Sequence, residues 1–208
     1  MHISDGVLSP TVIAAGWIIT LAMIAITLRW GTKEVDIAEQ IPKVSVMTAA
    51  FFVASLIHVS IGPTSVHLVL NGLLGVVLGV LAYPAIFIGL VLQSLLFQHG
   101  GITAIGVNTM DMGLPALIVV VIFKQGCSKG INPALLGGIC GGFAVIISTI
   151  LLAVVLVTTD EKFIEVAYAA AAVHVPIIII ESIITGSVVG FLAKVRPELL
   201  PIDTEELK

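Results

Sequence analysis

Charge is scarce in this chain. Of 208 residues, 11% are Asp, Glu, Lys or Arg and 58% are hydrophobic, with a mean hydropathy of +1.19. Soluble domains carry about 25% charged residues, so no soluble unit of useful size fits; a lipid bilayer, and no nucleic acid, is the expected environment. Cysteine is nearly absent. Cys127 and Cys140 have no C-x-x-C spacing and sit in or beside apolar runs, so they read as small buried residues rather than disulfide or metal partners. Two motifs are missing as well. There is no H-E-x-x-H, which an intramembrane metalloenzyme of the zinc type would use, and no G-x-x-x-x-G-K-[ST] phosphate loop. The chain is expected to be neither a metallohydrolase nor an ATPase.

What the chain has in excess is long apolar sequence. A bilayer core of about 30 Å needs about 20 apolar residues. Seven runs approach that length: 8–30, 44–61, 65–82, 84–98, 107–124, 131–158 and 168–195. The expected fold is an all-α membrane protein, a bundle of about seven transmembrane helices forming one domain over 1–208. Its orientation follows from the basic residues. With the N-terminus outside, Arg29, Lys33, Lys43, Lys124, Lys129, Lys194, Arg196 and Lys208 all fall in cytoplasmic segments, and only Lys162 lies outside. That satisfies the positive-inside rule and makes the C-terminus cytoplasmic. Asp5, Asp111, Asp160, Glu161 and Glu165 then gather at the outer face, which favours cations modestly.

Met1-His2 is a chelate in itself. A free amine, the residue-2 amide nitrogen and His2 Nδ1 close a five- and a six-membered ring on one ion. The deprotonated amide is planar, so the three nitrogens lie flat, which suits Ni(II) or Cu(II) far better than Zn(II), Ca(II) or Mg(II). The segment before the first apolar run has no Lys or Arg and carries Asp5. That is the wrong pattern for a cleaved leader, so Met1 is expected to stay. Segment 1–8 is expected to insert into the outer end of the bundle.

His67 is the expected fourth ligand. It lies in the turn Ser60-Ile-Gly-Pro-Thr-Ser-Val-His67, one turn into the third helix on this reading. His58 is an alternative ligand or an interfacial residue. His99 is expected to be exposed in a Gly-rich loop over 98–113, and His174 interfacial or packed. Thr64, Ser65, Asn108 and Asp111 are expected to hold the ligands by hydrogen bonds, Thr64 and Ser65 being equally good N-caps for the third helix. Glu181 sits alone in mid-span, where carboxylates are costly and functional by default; it is expected to lie far from the outer cluster.

Three blocks have a family look: Met1-His-Ile-Ser-Asp-Gly-Val-Leu-Ser-Pro10, Gly62-Pro-Thr-Ser-Val-His-Leu-Val-Leu-Asn-Gly-Leu-Leu-Gly75, and Gln98-His-Gly-Gly-Ile-Thr-Ala-Ile-Gly-Val-Asn-Thr-Met-Asp-Met-Gly113. Together they resemble the metal-specific substrate-binding subunit of energy-coupling-factor nickel/cobalt transporters. The resemblance implies that Met1, His2 and His67 are the metal ligands and that the 98–113 loop covers the site. It also implies uptake of Ni(II), with Co(II) as a second substrate, across the cytoplasmic membrane of a prokaryote. Partners would be a transmembrane coupling subunit and two cytoplasmic ATPase subunits. Relatives often carry Asn where Asp111 stands.

Overall fold

The structure is a computed structural model that describes residues 2–34, 36–56, 58–61 and 64–201, with the backbone alone at 34, 59–61, 64 and 65. It is helical almost throughout. A short strand, β1 (His2–Ile3), leads to the long helices α1 (Pro10–Glu34) and α2 (Ile37–Leu56). A hairpin of β2 (His58–Ile61) and β3 (Thr64–His67) follows. Then come α3 (Asn71–Leu78), α4 (Ala82–Phe97), α5 (Ile105–Cys127), α6 (Pro133–Thr159) and α7 (Ile164–Val195).

Seven spans were expected, and six helical stretches among the described residues are long and apolar enough to cross a membrane. The difference lies in 65–82 and 84–98, which merge into one broken stretch, Asn71–Phe97. A straight helix of that length would reach about 40 Å. Yet His67 before it and His99 after it have ring centroids 5.7 Å apart. The stretch is therefore a hairpin of two limbs, turned by a 3-10 segment at Gly79–Leu81 where Gly79 has φ 60°. The α3 limb is short because the strand Thr64–His67 and the irregular chain over 68–70 cover the rest of the descent. Irregular backbone is tolerated at such depth only inside protein, and Val69 and Leu70 are buried.

Neighbouring contacts fix the direction of each helix. Gly16 faces Val107 near the histidines, whereas Gly31 faces Leu81 and Val80 at the far end. Gly190, late in α7, faces Ala134 at the start of α6. β1 and the last turn of α7 thus lie at opposite ends of the bundle. A methyl on Gly141 would sit 2.7 Å from the Glu181 carbonyl oxygen, so the α6–α7 approach depends on that glycine. The outer helices present bare apolar side chains such as Ile18, Val46, Leu96 and Phe191, as lipid-facing surfaces do.

Two local expectations are corrected. His67 stands in β3, not in a helix; its four-residue strand is paired on both edges, with β1 on one side and β2 on the other. Only 98–104 is loop, because Ile105 already begins α5.

Candidate metal centre

The short sheet is what brings the N-terminus inward. In β1, His2 pairs with Ser65 and Ile3 with Thr64. The other edge of β1 is held by side chain and loop. The Ile3 N–H donates to Asn108 Oδ1 at 2.9 Å, and Asn108 Nδ2 donates to the Ile3 carbonyl at 3.2 Å. The Gly101 N–H donates to that same carbonyl at 3.1 Å. Asp5 completes the grip by accepting from the N–H groups of Ile102 (3.0 Å) and Thr103 (2.9 Å) and from the Thr103 hydroxyl. Those bonds, Thr103 foremost, hold the Asp5 carboxyl below its usual range. Gly100 has φ +74°, and a methyl there would sit 2.9 Å from His2 Cδ2. Any larger residue would lift the loop from the histidine.

His2 and His67 meet inside this frame, with relative exposures of 2% and 3%. His2 Nδ1 lies 2.7 Å from His67 Nε2. Their outer nitrogens decide what lies between them. The Ser55 hydroxyl donates to the Phe52 carbonyl at 2.9 Å, and the Gln93 amide nitrogen donates to Ser55 Oγ. This aims Gln93 Oε1 at His2 Nε2, 2.7 Å away, so Nε2 carries the proton and Nδ1 the lone pair. His67 Nδ1 donates to the Leu68 carbonyl at 2.7 Å, leaving Nε2 with its lone pair. Two lone pairs thus face each other at hydrogen-bond distance. Burial keeps both rings well below the ordinary imidazole range, His2 also through its neighbour His67. Both stay neutral and able to ligate at neutral pH.

The separation discriminates between geometries. Two nitrogens about 2.0 Å from one ion stand about 2.8 Å apart at a right angle and about 3.3 Å apart at the tetrahedral angle. The observed 2.7 Å matches a right-angled edge. His99 closes the group: its ligand atoms and those of His2 and His67 all lie within 4.8 Å of one another.

The expected site residues fall out as follows. His2 and His67 come together, and Asn108 clasps the strand that carries His2. The Met1 amine and the side chains of Thr64 and Ser65 lie outside the described residues; since α3 starts at Asn71, neither Thr64 nor Ser65 caps it. Asp111 is buried one turn along α5 from Asn108, its carboxylate without a hydrogen-bond partner among the described residues. His58 is exposed on β2 opposite His67.

Two expectations fail. His99 is buried at 8% exposure, not exposed, because Gln98 adopts φ 52° and swings the chain back over the bundle; burial and nearby His58 lower its pKa to about 4. Glu181 is not remote either. Its carboxylate accepts from the N–H groups of Val69 and Leu70 (2.8 Å), two and three residues past His67. It holds Leu70 in a left-handed conformation, φ 51°, that costs an ordinary residue about 1–2 kcal/mol.

Gln93 is the residue sequence reading missed. As a lone uncharged polar side chain in an apolar run, it gives only a faint signal. Gln93→Leu would free the His2 ring to rotate or change tautomer. Loss of such an orienting partner weakens metal binding by about 10–100-fold, which a competition titration reads directly; unchanged affinity would remove Gln93 from the account.

Comparison with known proteins places this architecture among membrane metal transporters. Residues 2–199 match the family described as cobalt uptake substrate-specific transmembrane region. A Haemophilus influenzae protein with a metal-transport name is 35% identical over 204 residues, covering 96% of this chain and 97% of its own. The fused nickel transport protein NikMN of Rhodobacter capsulatus is 28% identical, with 96% of this chain matching 64% of that one. A Methanocaldococcus jannaschii protein named CbiM for cobalt transport is also 28% identical, over 100% and 95%. A crystal structure of a transition metal transporter superposes with a TM-score of 0.86 at 27% identity, covering 94% and 93%. The chain belongs to the CbiM family of cobalt and nickel uptake proteins.

Proposed function

We propose that this protein is a single transmembrane substrate-binding domain, residues 1–208, that takes up Ni(II), with Co(II) as a second substrate. The ion is held by the Met1 amine, the His2 amide nitrogen, His2 Nδ1 and His67 Nε2. The observation that carries this reading is the buried pair of ring nitrogens, His2 Nδ1 and His67 Nε2, set 2.7 Å apart. Two ring nitrogens that close, inside a frame that fixes both rings, have the spacing of two ligands at a right angle on one ion. Asn108 positions the chelating strand. The Asp111 carboxylate offsets the charge of the ion, and the backbones of Thr64 and Ser65 set the register of β1.

Nickel is favoured over cobalt because amide deprotonation is easier for Ni(II), which also stands higher in the affinity order. The names of the relatives divide between the two metals, and a cobalt-specific uptake subunit is the second reading. A metalloenzyme is disfavoured: four nitrogens in a plane leave no equatorial position for a substrate. The N-terminus faces outward and the C-terminus the cytoplasm of a prokaryote, which agrees with the basic residues. Having no phosphate loop of its own, the chain works with a transmembrane coupling subunit and two cytoplasmic ATPases of an energy-coupling-factor transporter. Proteoliposomes holding all four chains should take up Ni(II) when ATP is supplied on the ATPase side, and fail without this one. Uptake that ignores its presence would refute the role.

A further inference from the structure

The histidines form a series graded by exposure. His58 is exposed, His99 is 8% exposed, and His2 and His67 are buried. Ring centroids are 4.0 Å apart for His58–His99, 4.2 Å for His99–His2 and 4.6 Å for His2–His67. His58 stacks on His99, and its backbone pairs with that of His67. His99 touches His58 on one side and both buried rings on the other.

We propose that His58 and His99 are an entry path that passes a divalent transition-metal ion by stepwise imidazole exchange to His2 and His67. This rests on the metal-site reading above. A hydrated ion has to shed water before it enters a site closed by Gly100 and the β-hairpin. The nitrogens for that exchange are in place. His58 Nδ1 donates to the Leu56 carbonyl at 3.1 Å, which leaves Nε2 as the basic nitrogen. His99 Nε2 is buried with no hydrogen-bond partner among the described residues, and its ring lies against both His58 and His2. Each step swaps a water or an imidazole for the next imidazole, so the ion is never stripped bare. His99 is a waypoint, because a planar chelate is already complete without it.

A path and a ligand differ in kinetics. Removing a step slows entry and exit alike and leaves the equilibrium unmoved, whereas removing a ligand or a prop weakens binding itself. The test mixes Ni(II) with the purified full chain in detergent, follows the d–d absorption by stopped flow, and titrates the same samples at equilibrium. His58→Ala, at an exposed position, should slow association and dissociation by about tenfold each and keep Kd within about twofold. His99→Gln should slow them at least as much, and H58A/H99Q no further than H99Q, since the steps are in series. Unchanged rates in H58A, or a changed Kd with a shifted band, would overturn the path. If the unmodified protein forms no planar Ni(II) complex, the metal-site reading itself fails. If it does and H58A binds at the normal rate, only the path fails.

Discussion

Four residues added ahead of Met1 should abolish tight Ni(II) binding. The five-membered ring of the proposed chelate needs the amine and the His2 amide nitrogen on adjacent positions, and an extension turns that amine into a peptide nitrogen. Two of the four donors then lose their geometry, because β1 still pins His2 and Ile3 between β3 and Asn108. The expected loss is at least about a thousandfold in Kd, equivalent to about 4 kcal/mol. The length of the extension matters. A single added residue would create Xaa-Met-His, whose amine, two amides and imidazole form a local four-nitrogen chelate without His67. Four residues put the histidine out of reach of any such ring. Equilibrium competition against a coloured chelator measures the effect, with circular dichroism to show that the helices persist. An extended chain that binds Ni(II) as tightly as the original would mean that the N-terminus is no ligand.

His67→Ala should weaken Ni(II) binding by at least about a hundredfold and should change the spectrum along with the affinity. The remaining amine–amide–imidazole clamp binds through three nitrogens, and water or His99 fills the fourth corner. The contrast with the cross-strand neighbour is the useful control. His58 is paired with His67 in the same hairpin, so damage to the sheet would appear in H58A as well. Equal losses of affinity in the two variants would point to the hairpin rather than to a ligand.

The helices are plain in the sequence because long apolar runs leave few other folds. The expected orientation rests on the basic residues alone, which cluster between alternate runs. The β-hairpin is hidden. Its strands His58–Ile61 and Thr64–His67 are four residues each, too short for period-2 alternation to stand out against apolar flanks. Missing it places His67 on a helix and turns 65–82 into a full span. Glu181 looks remote for the same reason: depth along α7 is readable, but the descent of residues 64–70 as non-helical chain to meet it is not. His99 looks exposed because two glycines follow it, yet the left-handed turn at Gln98 directs the ring inward. Gln93 depends on Ser55, 38 positions away on another helix. No local pattern announces that pairing. The proposed N-terminal chelate is the opposite case, since its rings would close through covalent neighbours and need no fold to be proposed.

The central claim is that Ni(II) sits in a plane of four nitrogens supplied by the first two residues and His67. It is tested most directly by titrating the purified protein with Ni(II) while recording its visible spectrum. The account predicts a yellow d–d band that grows linearly to one equivalent and then stops, with protons released as the amide and amine are deprotonated. A weak octahedral or tetrahedral spectrum at saturation, or binding without proton release, would contradict it.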